Sequence, residues 1–232
     1  MIITTLDIES VSPGYEPPED RPDKFPPLAY HVPTVIVWLV ARHQKELGFN
    51  LNVYQYERDL EGPSLKALGD NLQESKRLVT WNGRRFDMPL LNLRAMTCRL
   101  DWKWWLKRNG RYGVGKGLYH YDLNDLLTDQ TGVGVGLDQV SKTLGLPGKV
   151  AMDGKEAAEV WLHDSERVVR YCAEDVVQTY LVYLRYARTF LGADLDSYRN
   201  ILRAFVDWME NIPLLSELRA QVQPWVLTEL DI

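Results

Sequence analysis

Asp7 and Glu9 stand two apart in the run I-I-T-T-L-D-I-E, whose residue types suit an extended strand. Side chains at i and i+2 of a strand leave the same face. The two carboxylates therefore sit side by side near the strand's end, where a cation between them would relieve their repulsion. The same residues also admit a plainer reading, with Glu9 already in a loop and Asp7 capping a turn. In the stretch W-N-G-R-R-F-D-M-P, residues 81–89, a short strand ends at Asn82-Gly83 and Asp87 opens the next helix. N-capping is an ordinary use of aspartate at such a position. Further on, Y-C-A-E-D at residues 171–175 sets Tyr171 and Asp175 four apart, on one helical face. Glu174 lies about 100° further round that helix and reads as solvated.

The elements that must position these groups follow from periodicity. Residues 2–9 alternate, with Leu6 and Ile8 on one parity and Ile3, Thr5, Asp7 and Glu9 on the other. A proline-rich connection spans residues 12–33, longer than an ordinary loop in a compact domain. Residues 34–42 are too apolar to alternate and suit a central buried strand. A third strand is expected over 50–57, joined through a turn at Gly48. A helix over 61–75, a strand over 77–81, a helix from Asp87 with Pro89 in its first turn, and a strand over 119–123 come next. Short helices are expected over 137–144 and 155–162, a long one over 165–190 behind Asp164, and a last one over 195–217. Three successive strands followed by strand–helix alternation predict a single α/β unit with a mixed sheet.

Composition narrows the class. The chain has 232 residues, of which 45% are hydrophobic and 25% charged, as in a folded globular protein. Its longest apolar run, Val35 to Ala41, is far short of the roughly 20 residues that cross a bilayer. The N-terminus lacks the basic and apolar regions of a signal peptide, so a cytoplasmic location with no membrane partner is the expectation. Two cysteines make neither a disulfide framework nor a four-sulfur zinc site. His31, His43 and His163 lack zinc-ligand spacing and read as ordinary satisfied histidines. The net charge is −5, yet residues 99–116 carry six basic side chains against Asp101, interleaved with Trp102, Trp104, Trp105 and Tyr112. That segment is either a patch for a polyanion or a solvated charge run over packed tryptophans.

Taken in order, the strand D-x-E, the mid-chain N-G-x-x-F-D and the late helical Y-x-x-x-D resemble the three motifs of the DEDD exonuclease superfamily, in its tyrosine-bearing branch. The chain is most similar to the predicted, free-standing polymerase-B-like 3′–5′ exonuclease family. D-K-F-P-P-L-A-Y-H (23–31), H-Y-D-L-N-D-L-L (120–127) and L-G-L-P-G-K (144–149) fit the same family. The resemblance covers residues 1–190, leaving 191–232 as a C-terminal helical extension. It implies a ribonuclease-H-like mixed five-stranded sheet flanked by helices. It further implies that Asp7, Glu9, Asp87 and Asp175 hold two Mg²⁺ or Mn²⁺ ions and that Tyr171 orients the attacking water. The expected reaction is release of nucleoside 5′-monophosphates from the 3′ end of DNA, single-stranded by preference. Asn82 and Phe86 are expected at the terminal nucleotide, and Lys107, Arg108 and Arg111 along the phosphates. Any polymerase or repair partner is left open. Asp122 is read as a strand-end or structural acid outside the catalytic set. Two other readings compete: an exoribonuclease of the ribonuclease D type, and a nuclease-like module that only binds. Absence of a helical repeat domain after residue 190, where one helix and a tail are expected, favours DNA over the first. Retention of all four acids argues against the second.

Overall fold

The run V-P-T-V-I-V-W-L-V-A-R-H is apolar on both parities and rich in β-branched residues, a composition suited to a strand covered on both faces. In the computed structural model it forms β2 (Val32–His43), buried along nearly all its length. The structure describes residues 1–21, 24–44, 46–57, 59–102, 118–129, 134–148, 152 and 156–231. Antiparallel to β2 run β1 (Ile2–Val11) on one side and β3 (Leu47–Gln55) on the other. Next to β1, in parallel, come β4 (Arg77–Thr80) and then β5 (Tyr119–Asp122), giving the order β3-β2-β1-β4-β5. The expected mixed five-stranded sheet is present. β1 is central, so a side chain at its C-terminal end is enclosed by elements on both faces.

One boundary differs from expectation. Gly48 is not in the turn: the β2–β3 ladder continues through an Arg42–Gly48 pair to His43–Leu47, and the chain reverses beyond it. A glycine whose ideal Cβ would stand 4.0 Å from the Arg42 side chain fits the ladder without crowding.

Each sheet face carries its own core. One holds Leu6, Ile8, Ile36, Trp38, Val40 and Leu78 against α1 (Glu61–Glu74) and α2 (Asp87–Thr97). The other holds Ile3, Val35, Val37, Leu39 and Val79 against α6 (Ser165–Phe190). Among the described residues, the short helices α3 (Leu123–Leu127), α4 (Leu137–Thr143) and α5 (Ala157–Trp161) lie between α2 and α6 in sequence. Asp164 caps α6 by accepting the Arg167 amide at 3.1 Å.

The single helix expected over 195–217 is two. α7 (Leu195–Met209), capped by Asp194 on the Asp196 and Ser197 amides, ends before a 3₁₀ turn at Pro213–Leu215; α8 (Ser216–Asp231) follows. Pro213 supplies the reason, since it has no N–H and its ring clashes with a preceding helical turn. Both helices contribute to the α6-side core, through Leu202 and Phe205 of α7 and Leu218 and Val222 of α8. Glu174 is also corrected: it is buried, not solvated. It shares a face with Gln178, whose amide donates to the Gly148 carbonyl at 2.7 Å, so the 144–148 segment covers that side of α6.

Candidate active site

Strand alternation directs Asp7 and Glu9 to the face of β1 that also carries Ile3 and Thr5, which is the α6 face. Asp7 pairs with Val37 and Glu9 with Val35 across the ladder, so both are true strand residues and the turn-cap reading fails. The ladder shifts register between Glu9 and Ser10. Such a bulge bends the strand and re-aims side chains where pairing ends.

On α6, Tyr171, Cys172 and Asp175 turn toward that strand. The Cys172 thiol lies 3.5 Å from the Asp7 carbonyl and 3.4 Å from Asp7 Oδ2, and burial pushes its pKa up, with Asp7 and Glu9 adding to the effect. It is fully buried, consistent with packing as a small apolar group. Burial also drives the Tyr171 hydroxyl far above its ordinary pKa, reinforced by the carboxylates of Asp175, Glu9 and Asp7. The hydroxyl donates to the Asp175 carboxylate one helical turn on. At any ordinary pH Tyr171 is thus a neutral phenol surrounded by three carboxylates.

Asp87 arrives from the opposite layer. It is the first residue of α2, and Phe86, not Asp87, occupies the cap position. The N-cap reading is therefore set aside. Its side chain is 4% exposed, and Oδ1 has no hydrogen-bond partner among the described residues. Burial raises its pKa well above the usual carboxylate range; the Asp7 charge and then Asp122 add to this, against stabilising contacts with backbone N–H groups that include Ile8's. Asp7 is thus the shared neighbour: it acts on Asp87 from one layer and, with Glu9 and Asp175, on Tyr171 from the other. Among the described residues no three His, Cys, Asp or Glu side chains are grouped, as they stand, to hold a metal ion. The donors nonetheless suit a hard cation in kind: all are carboxylate oxygens, and one is buried without a partner.

The loop before Asp87 is held by a residue outside the catalytic set. Asp122, fully buried at the end of β5, accepts the Asn82 amide on Oδ1 and the Arg84 amide on Oδ2, both at 2.8 Å. Arg84 reaches back to the His120 carbonyl at 2.6 Å. Asn82 adopts φ +62, a left-handed conformation that asparagine tolerates better than most residues. At Gly83 a Cβ would fall 2.6 Å from the Thr80 side chain, so only glycine fits. Asp122 thus has the structural role expected of it, directed at the loop that presents Asp87.

Phe86 lines a cavity of about 1100 Å³ together with Glu9. Asn82 is not among the described residues that line it. Lys107, Arg108 and Arg111, expected along the phosphates, lie outside the described residues. Sequence reasoning assigned no site role to Phe25 and His31, which line the same cavity; the signal was their place in the 23–31 stretch that fits the family.

The chain matches the family described as "Predicted 3'-5' exonuclease related to the exonuclease domain of PolB" over residues 23–225. No curated protein matches it. Among solved structures it is similar to the family B DNA polymerase of the hyperthermophilic archaeon Pyrobaculum calidifontis, at 18% identity and a TM-score of 0.56, over 98% of this chain and 28% of the polymerase. This likeness shows a shared ribonuclease-H-like exonuclease fold, and the chain spans well under a third of the polymerase's length. A second similar structure is zinc-bound E. coli ExoI in complex with single-stranded DNA, at 12% identity and a TM-score of 0.44, covering 88% of this chain and 45% of that one.

Proposed function

The chain belongs to this family of predicted 3′–5′ exonucleases, and from that premise we propose that it hydrolyses phosphodiester bonds stepwise from the 3′ end of an unpaired DNA strand, releasing nucleoside 5′-monophosphates. Residues 1–190 carry the catalytic unit in this reading, and 191–232 extend it.

The observation that supports it best is Asp87: a buried carboxylate with an unpartnered oxygen, facing the charge of Asp7, which with Glu9 and Asp175 also acts on the Tyr171 phenol. Burying like charges together is costly unless something compensates them. Asp7, Glu9, Asp87 and Asp175 would hold divalent Mg²⁺ or Mn²⁺, which when bound supplies Lewis-acid stabilisation and a more acidic water. The remaining work falls to the chain's own side chains. Tyr171 stays protonated because burial and its acid neighbours raise its pKa, so it serves as a hydrogen-bonding group and not as a base. With its O–H donated in a hydrogen bond to Asp175, its lone pairs are left to accept from the attacking water and fix that water's direction. Asp122 keeps the 82–85 loop, and through it Asp87, in place.

The decisive experiment offers matched DNA and RNA oligonucleotides, each labelled at the 5′ or the 3′ end, with Mg²⁺, Mn²⁺ or chelator. A 5′-labelled DNA strand should shorten in single-nucleotide steps, and chelator should stop it. DNA left intact with both metals at high protein concentration overturns the reading. Faster loss of RNA transfers it to the exoribonuclease class.

A further inference from the structure

The sheet has two edges, and they are finished differently. β5 is only four residues long and ends at the buried Asp122. β3 runs for nine residues, L-G-F-N-L-N-V-Y-Q, with no proline and no charged side chain, and its ladder to β2 continues without a register shift. Short length, proline, lysine and bulges are the usual means of closing a sheet edge to further pairing. β3 has none of them.

The hydrogen-bond phase of the ladder shows which main-chain groups face outward. The Tyr56 amide donates to the Thr34 carbonyl at 2.7 Å, so the even-numbered residues of β3 direct N–H and C=O to β2. The odd-numbered residues, Leu47, Phe49, Leu51, Val53 and Gln55, turn theirs away from the sheet, and these groups have no backbone partner among the described residues. The side chains of that odd row lie on the α6 face. α7 covers one end of the row, where Phe205 meets Phe49 at a ring-centroid distance of 5.0 Å. The other end is open, with Val53 42% exposed.

A second copy of the same strand fits this edge. Antiparallel pairing of β3 with itself engages all nine residues in one register, centred on Leu51. There Leu51 faces Leu51 of the second copy, and Phe49 faces its Val53, so the covered end of one apolar row meets the open end of the other. On the reverse face Asn50 falls opposite Asn52 of the copy, two amides that can each donate and accept. The outward N–H and C=O groups of the odd row exchange hydrogen bonds with those of the copy. The chain carries a net charge of −5, yet along this uncharged strip no like charges meet.

We propose that β3 is a self-association edge, through which two copies of this chain join by antiparallel β3–β3 pairing centred on Leu51 into one continuous sheet. β1 and β3 are both antiparallel to β2, so they run the same way, and the two-fold axis sends the two acid sites to opposite ends of the joined sheet. The pairing goes beyond the exonuclease reading and does not depend on it. One strand pair with its apolar row makes a small interface, of the class under about 1,200 Å² found in transient complexes.

Sedimentation equilibrium of the full chain over about 1–200 µM, without metal or nucleic acid, should show a monomer–dimer equilibrium with a Kd below about 100 µM. Val53→Lys should weaken association about tenfold or more, since the change enters the interface twice, and should melt with wild type because Val53 is exposed. Val53→Pro removes a donor that the monomer does not use and should weaken association as strongly; an edge strand tolerates proline whose nitrogen faces solvent. The register is read by cysteine pairing. Under mild oxidation a mixture of Asn50→Cys and Asn52→Cys chains should form a disulfide between unlike chains, because opposite residues of a non-hydrogen-bonded pair bring their Cα atoms to about 4.5 Å. Neither variant alone should cross-link through its introduced cysteine. Three results each overturn the proposal: a chain that stays monomeric at the highest concentration, a Val53→Lys variant that associates as tightly as wild type, or a mixture that yields no disulfide between unlike chains.

Discussion

Two buried carboxylates, Glu229 and Asp87, are equally hidden at 4% exposure and oppositely furnished. Glu229 of α8 accepts from the Arg185 guanidinium on one oxygen and from the Tyr198 hydroxyl, at 2.6 Å, on the other. Glu61 is satisfied likewise by a two-pronged bond from Arg94, at 2.5 and 2.6 Å. Asp87 has no described cation bonded to it, one oxygen without a partner, and Asp7 and Asp122 as its charged neighbours. The parallel extends to the phenols: Tyr198 and Tyr171 each donate to a carboxylate, but Arg185 attends the first and a ring of acids the second. At Glu229 and Glu61 the fold provides the counter-charge itself. At Asp87, where acids face one another, the compensation comes from a proton, as its raised pKa records, or from a bound cation.

Exchanging the two carboxylates' charges should give the largest contrast. Asp87→Asn removes one of the repelling charges, so stability should stay level or rise by up to about 1 kcal/mol, while cleavage drops by about 10²–10³-fold or more. Glu229→Gln strands the Arg185 charge, which is partly solvent-screened, and should cost about 2 kcal/mol with cleavage per folded molecule unchanged. Urea titrations and oligonucleotide turnover on both variants read this directly. Lost stability in the first or lost turnover in the second would erase the distinction.

His43 sharpens the comparison with a neutral, part-buried pair. Its Nε2 lies 2.6 Å from the Tyr180 hydroxyl, and burial, with nearby positive charges, lowers its pKa from 6.5 to about 4. The unfolded chain therefore takes up this proton first as pH falls. The stabilisation is full above pH 6.5, declines between 6.5 and about 4, and levels off below. Its span is up to about 3 kcal/mol. His43→Gln should flatten that part of the stability–pH curve relative to wild type; parallel curves would show that the pair does not titrate in this window.

The smallest effect expected is at Asp122. Asp122→Asn keeps the shape but turns an amide N–H₂ toward one of the two backbone donors it now accepts. Turnover should fall about tenfold, as for supporting groups behind a reactive site, with KM for the oligonucleotide held. A fall in melting temperature alone, with kcat per folded molecule intact, would reduce Asp122 to a structural acid with no bearing on the site.

The features readable along the chain were those whose cause is local. Alternation in residues 2–9 put Asp7 and Glu9 on one face, a four-residue step paired Tyr171 with Asp175, and the unbroken apolar run of β2 announced a central strand. The motif order was enough to suggest the family. Glu174 misled for the complementary reason: a helical wheel knows one helix, and the 144–148 segment that covers its far side comes from elsewhere. The length of the last helix misled as well, although Pro213 was there to be read.

Sequence alone thus settled which side chains share a face, because strand and helix periods act over two to four residues. Only the tertiary structure decided what those faces meet. It brought Asp87 from α2 to the Asp7 carboxylate, put Arg185 and not another acid beside Glu229, and folded the proline-rich loop back so that His31 grips Ser10 and lays Phe25 against the cavity. Such meetings depend on how two cores close over opposite faces of one sheet, and no short-range spacing encodes that.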